Sequence, residues 1–183
     1  DMLEALGYSH YVQTEEIEDK TLQNLLIDRI YDHLLDEIEL QHVDETYKKI
    51  AKQMDSGNYS SREFMEYCGK WLSNVKDAND SVILAAYEMN VPIFIPAIND
   101  CSIGIGLAMN QSEVKNGISI DSIKDLREIA KMKDLCGDSG IVIVGGGVPK
   151  NYSQDSVVMA EMLGYKVKKH RFGIQISTAD PRD

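Results

Sequence analysis

The 183-residue sequence has only three cysteines and four histidines. Cys68, Cys101 and Cys136 lie far apart, and no pair has the short spacing of a metal site. Their odd number, without a secretory leader, reads as reduced thiols in the cytosol, so the expected location is cytoplasmic. His10, His33, His42 and His170 form no HExxH or similar pattern, and no bound metal is expected. Long apolar runs are absent too: none reaches the roughly 18 residues that span a bilayer. No basic segment followed by an apolar one opens the chain, so neither a membrane span nor a signal peptide is expected. Basic charge is scarce, with 19 Lys and Arg against 30 Asp and Glu and a net charge of −11. That balance disfavours nucleic acid, whose phosphates draw on clustered Lys and Arg. The one basic cluster (Lys166, Lys168, Lys169, His170 and Arg171) is short and reads as a solvated strand edge. An acidic surface suits a cationic small substrate instead. The chain does not begin with Met and stops at Pro181-Arg182-Asp183 just after an apolar run. Both ends read as cuts through a longer protein.

What is present is ordinary globular material, with 43% apolar and 27% charged residues, enough for one domain with a core. The first half reads as helical. Leu22, Leu25, Leu26, Ile30, Leu34, Leu35 and Ile38 recur at three- and four-residue spacings and predict a helix over 20–38, with His33 packed or half-exposed on it. A second helix is expected over 44–54, closed by Asp55-Ser56-Gly57. Ser60 with Glu63 makes a capping box for a third, running to about Leu72. Asp80 or Ser81 caps a fourth over 82–89. From Asn90 the pattern changes. Val91-Pro-Ile-Phe-Ile-Pro96 predicts a short buried strand, Gly140-Ile-Val-Ile-Val144 a second and Phe172-Gly-Ile-Gln-Ile176 a third. Helices capped by Asp121 or Ser122, and running from near Gln154 to Leu163, alternate with these strands. Trp71, Met159 and Met162 read as core. Alternating helices and strands imply parallel strands with helical crossovers: a Rossmann-like, doubly wound α/β sheet with helices on both faces and a helical N-terminal part.

Ligands of such sheets bind outside the C-terminal strand ends. Three loops open there: Asn99–Ser102, Gly145–Asn151 and Ser177–Asp180. The Gly145-Gly146-Gly147 turn lets the backbone approach a ligand with no Cβ in the way, and helix-start amides favour an anion. It matches neither GxGxxG nor GxxxxGK[ST], so a ligand-contacting loop and a plain tight turn both remain open. Asp100 suits ribose hydroxyls, an amine or a helix N-cap, and Ser102 is a capable cap as well. Thr178 and Ala179 sit where backbone amides reach either a cofactor or nothing but a turn. No Ser/His/Asp or Cys/His arrangement stands out.

Three segments, in this order and spacing, resemble the deoxyhypusine synthase family. Val91-Pro-Ile-Phe-Ile-Pro-Ala-Ile-Asn-Asp100-Cys-Ser-Ile-Gly104 is similar to its P-x-F-x-P-A-x-x-D-G-S-x-G stretch. Ile143-Val-Gly-Gly-Gly-Val-Pro-Lys150 is similar to its L-G-G-G-x-x-K loop, and Ile174-Gln-Ile-Ser-Thr178-Ala179 to its Y-x-I-N-T-A strand end. Asp1–Gly7 and Asp28-Arg29-Ile30 fit the helices that precede them in the family. The resemblance implies an NAD-dependent enzyme that oxidises spermidine, carries its aminobutyl group on an enzyme lysine and passes it to a lysine of a translation factor. It implies NAD contacts at Asp100, Ser102, Gly146, Thr178 and Ala179, an amine pocket at Gly146 and Asn151, and a homotetramer with sites between subunits. The chain would then be a partial, single NAD-binding domain. The catalytic lysine of the family's S-W-G-K segment would lie beyond Asp183. Two positions depart from the pattern: the family's amine-contacting His is Asn151, and the second acid of D-G-S-x-G-D is Ile105. The ending Thr178-Ala-Asp-Pro-Arg-Asp183 looks more like the deoxyhypusine synthase-like branch of archaea and bacteria. Alternatives are a homospermidine synthase-type transfer between small diamines or agmatine, and a non-catalytic NAD- or polyamine-binding paralogue.

Overall fold

The computed structural model describes residues 1–76, 78 and 80–178. The chain folds into two compact units: residues 1–93 with 98–120, and residues 94–97 with 121 onward.

The first unit holds, in order, α1 (Met2–Ala5), β1 (Tyr11–Val12), α2 (Asp19–Leu25), β2 (Ile27–Ile30), β3 (His33–Asp36), α3 (Glu37–Lys52), β4 (Gly57–Tyr59), α4 (Ser61–Leu72), α5 (Val82–Glu88), α6 (Ser102–Glu113) and β5 (Ile118–Ile120). The helix expected over 20–38 is not continuous. Leu26 takes a left-handed conformation (φ 56°) that ends α2, and Tyr31 (φ 59°) turns the chain between two antiparallel strands, β2 and β3. The apolar residues that fit a helical period are shared among a short helix and a hairpin, which β1 extends to three strands in the order β1-β3-β2. His33 therefore lies on β3, where its ring hydrogen-bonds Asp32 at 2.7 Å, and Asp28–Ile30 is strand rather than helix. Asp36 caps α3 by accepting from the amides of Ile38 and Glu39, so that helix starts seven residues earlier than the expected Asp44.

The capping box at Ser60 and Glu63 is present, and Ser81 caps α5. Phe64, Cys68 and Leu72 on α4 are fully buried, and the Tyr47 and Phe64 rings meet at 6.3 Å. Burial pushes the Cys68 thiol up, so it stays protonated and packs as a small apolar group. A Cβ on Gly106 would stand 2.6 Å from the Asp44 carbonyl oxygen and 2.7 Å from Tyr47 Cβ, so glycine is what lets α6 approach α3. The parallel pairing of β4 with β5 had no clear signature, since each strand is only three residues long.

The expected strand over 91–96 does not form. Residues 91–95 are irregular chain running into a turn at Pro96, and Pro92 and Pro96 each remove a ladder donor. The N-cap of the following α6 is Cys101, not Asp100, and its thiol donates to the Ile98 carbonyl at 3.3 Å.

The second unit contains α7 (Ser122–Cys136), β6 (Gly140–Val144), α8 (Val148–Met162) and β7 (Phe172–Ile176). Asp121 caps α7 through the amides of Ile123 and Lys124. The strands β6 and β7 pair in parallel, from Gly140 with Phe172 to Val144 with Ile176. They were expected to be buried and are not: Val142, Val144, Phe172, Ile174 and Ile176 stand 61–80% exposed. The register puts these five side chains on one face, where the Arg171 guanidinium lies 5.2 Å from the Phe172 ring centroid. Ala130, Val157 and Ala160 on the helices are buried, whereas Met162 is 80% exposed, and Met159 and Trp71 of the other unit are half-buried rather than core. The basic cluster over 166–170 is irregular chain leading into β7, with Lys168 paired to Asp138 at 2.8 Å. The chain is thus mixed α/β, with eight helices and three small sheets among the described residues.

Candidate functional site

In the second unit Val144 ends β6 and the chain turns at once through Gly145 (φ 80°) and Gly147 (φ 71°), angles that a side chain would make costly. The Gly145 amide donates to the Ile176 carbonyl at 2.8 Å, which ties the loop to the end of β7. Gly147 is the N-cap of α8, and Pro149 in the first turn has no amide to leave unsatisfied. That helix was expected to begin near Gln154; the Gly-to-Pro step starts it six residues earlier.

The Lys150 ammonium donates to Gln175 Oε1 at 3.0 Å, and Gln175 Nε2 donates to the Gly145 carbonyl at 2.9 Å. One glutamine on β7 therefore fixes both the glycine loop and the lysine. Around them is an open cavity of ≈ 490 Å³ whose lining includes Gly146, Lys150, Asn151, Gln175, Ser177 and Thr178. A Cβ on Gly146 would meet only Gln175 Nε2, at 3.8 Å, and one on Gly145 or Gly147 would meet nothing within 4 Å. Among the described residues, nothing else stands against the loop backbone on that side. Loop amides, the positive end of α8 and the Lys150 charge together favour an anionic or carbonyl-bearing group there. The Thr178 and Ser177 hydroxyls at the strand end add hydrogen-bonding capacity.

Three residues singled out in the sequence, Gly146, Asn151 and Thr178, thus come together in one cavity. Ala179 lies outside the described residues. Asp100 and Ser102 belong to the first unit. Asp100 is exposed just before α6, while Ser102 opens that helix near the buried carboxyl of Asp44. Burial raises the Asp44 pKa, and the nearby Ser102 side chain opposes the shift. Gly104 is tight for a different reason: a Cβ there would lie 2.6 Å from the Ile98 carbonyl oxygen and 2.7 Å from Asn99 Cα, so the loop preceding α6 folds back on that helix. Ile105 is 51% exposed.

Two residues of consequence escaped the sequence reading. Gln175 could have been found, since it is the one polar side chain in the apolar run Phe172–Ile176. Asp44 left no signal, because nothing in a helical carboxylate's neighbours announces its burial. Among the described residues no group of His, Cys, Asp and Glu could hold a metal ion, and the three cysteines are free thiols. No helix among them is long and apolar enough to cross a membrane.

A family model described as deoxyhypusine synthase matches residues 1–183. The chain belongs to the deoxyhypusine synthase family. It is 47% identical to the deoxyhypusine synthase-like protein of Chlorobaculum parvum, over all of this chain and 53% of that one. The deoxyhypusine synthase-like protein of Coxiella burnetii is 46% identical over all of this chain and 53% of its own. The "Probable deoxyhypusine synthase 2" of Methanosarcina mazei is 41% identical over 99% of this chain and 52% of its own. The chain therefore spans about half the length of the curated deoxyhypusine synthase-like relatives it matches. The three motif segments that carry the family resemblance end at the loops described above: the first at the tight Ile98–Gly104 turn, the second at the Gly145–Lys150 loop, the third at Thr178.

Proposed function

We propose that the protein is a deoxyhypusine synthase-like transferase that uses NAD to move an aminoalkyl group from spermidine or a related polyamine. The observation that carries this reading is the convergence of Gly146, Asn151 and Thr178, with Lys150 and Gln175, on one cavity in a chain that matches the family throughout. The room beside the three glycines and the amides at the start of α8 suit NAD, an anionic cofactor that presents carbonyl and hydroxyl groups. When bound, NAD would supply the hydride acceptor for amine oxidation and the donor for later reduction. In this reading the glycine-loop amides and Lys150 hold the cofactor, Gln175 keeps Lys150 in place, and Thr178 and Ala179 border it. Asp100 and Ser102 are assigned as further contacts on the family motif alone. Asn151 faces the amine. Covalent transfer needs an unprotonated lysine, and no Ser-Trp-Gly-Lys segment occurs within the 183 residues; we assign that role to sequence following Asp183. We further infer a cytoplasmic homotetramer in which these residues form part of a Rossmann-like, doubly wound NAD-binding domain, with a translation-factor lysine as acceptor.

A second reading, transfer between small diamines or agmatine, is favoured by Asn151 in the cavity and by Ile105, an apolar residue at the family's acidic position. Mass spectrometry of the full-length polypeptide with NAD and spermidine, putrescine or agmatine separates the two. Release of 1,3-diaminopropane with an adduct on a protein lysine supports deoxyhypusine synthesis. Turnover of putrescine or agmatine alone supports the second reading, and no product from any of the three defeats both.

A further inference from the structure

We propose that the first unit carries a separate site for an organic ammonium group, in the corner formed by Tyr59, Tyr67 and Tyr87. These rings, with Glu63, Glu66 and Lys70, line a cavity of ≈ 430 Å³ on the outer side of α4. Tyr59 and Tyr67 meet edge to face, with ring centroids 6.1 Å apart and planes at 82°, so they form two walls at right angles. The Tyr59 hydroxyl donates to the Asp55 carbonyl at 2.9 Å, which fixes the orientation of that ring. Tyr87 supplies a third wall from α5, and its seat depends on Gly69: a Cβ there would stand 2.3 Å from Tyr87 Cβ and 2.9 Å from Cγ. Aromatic faces at right angles around a space large enough for a small molecule present negative quadrupole to a cation from more than one side.

Charge at the corner is mixed. Glu63 is engaged by the Ser60 amide at 2.8 Å in the capping box, and its other oxygen lies 3.7 Å from Arg62. Glu66 accepts from Arg62 at 3.3 Å but is 64% exposed, and an ion pair that open contributes little and rearranges easily. An incoming ammonium can therefore share Glu66 with Arg62 while resting on the rings. Lys70 is the one lining residue that opposes a cation, which makes it the discriminating position: removing its charge strengthens the site for an ammonium and weakens it for an anion. None of these residues contributes to the glycine-loop cavity, so the two assignments stand or fall separately.

The test uses tetramethylammonium chloride, which has no N–H and cannot serve as an amine donor, titrated into the isotopically labelled protein with sodium chloride as the ionic-strength control. Saturable amide shifts confined to α4, α5 and β4, weakened at least tenfold in Tyr67→Leu, retained in Tyr67→Phe and tightened several-fold in Lys70→Gln, are the expected result. Shifts no larger than those of the sodium control overturn the proposal. So does unchanged binding in Tyr67→Leu, and so does weaker binding in Lys70→Gln, which would mark an anion site. Tyr67→Phe and Lys70→Gln keep the test decisive should Tyr67→Leu fail to fold.

Discussion

In the first unit Phe64, Cys68 and Leu72 are fully buried on one helix, whereas in the second the large side chains of β6 and β7 stand 61–80% exposed. The strands are the more apolar in sequence, since β6 and β7 carry no charged residue and α4 carries four, Arg62, Glu63, Glu66 and Lys70. The difference lies in what packs on them: α4 meets α3 and α5 within its own unit, while β6 and β7 form a two-stranded ladder with one face bare among the described residues. Hydrophobic sequence states a demand for burial, and only tertiary neighbours meet it. The glycines differ in the same way. Gly106 is required because the α6 and α3 backbones approach closely there, whereas a Cβ on Gly146 would meet only Gln175 Nε2, at 3.8 Å, among the described residues.

The sharpest way to break this comparison is a pair of truncations. Phe64→Ala should cost about 3–5 kcal/mol in urea unfolding, while Phe172→Ala at a site 67% exposed should stay within about 0.5 kcal/mol. A large loss at Phe172 would mean that the bare face is covered in solution. Next in size, Gly106→Ala should destabilise by about 1–3 kcal/mol, because backbone atoms as well as Tyr47 block the new Cβ. Gly146→Ala should leave the unfolding midpoint where it is. Ser60→Ala removes the hydrogen bond to the Glu63 amide (3.2 Å) and should cost about 1 kcal/mol by the same measurement.

The smallest expected effect concerns pH and also belongs to the first unit. Hydrogen bonds from Lys48 and Lys52 on α3 hold the Glu113 carboxyl on α6 down to about 2. A carboxyl depressed in the folded state adds stability that is present above its unfolded pKa and is lost as pH falls from about 4.5 toward 2. Urea midpoints of Glu113→Gln should therefore show a shallower acid slope than the parent over that window. Parallel slopes would contradict the assignment.

Local chemistry was the legible part of the sequence. Ser60 with Glu63, Ser81 and Asp121 marked helix starts because a cap depends on residues two or three positions away. The glycine turn after β6 and the strand run into Thr178 were visible for the same reason. The hairpin of β2 and β3 was not, since Leu22 to Ile38 fits a helical period and the left-handed residues that break it, Leu26 and Tyr31, are poor candidates for that conformation. Val91–Pro96 carries the composition of a strand, but Pro92 and Pro96 each remove a ladder donor and no strand forms there. Of the candidate site, Gly146, Asn151 and Thr178 could be read from motif spacing. The hold of Gln175 on Lys150 could not, because it joins residues far apart in sequence.

The account rests most heavily on the glycine loop as the cofactor site. Calorimetric titration of NAD into the full-length protein and its Gly146→Ala variant tests it directly. The expected result is saturable binding to the parent, weakened at least tenfold in the variant with no change in unfolding midpoint. Equal affinity in the two proteins, or no binding to the parent, would contradict it.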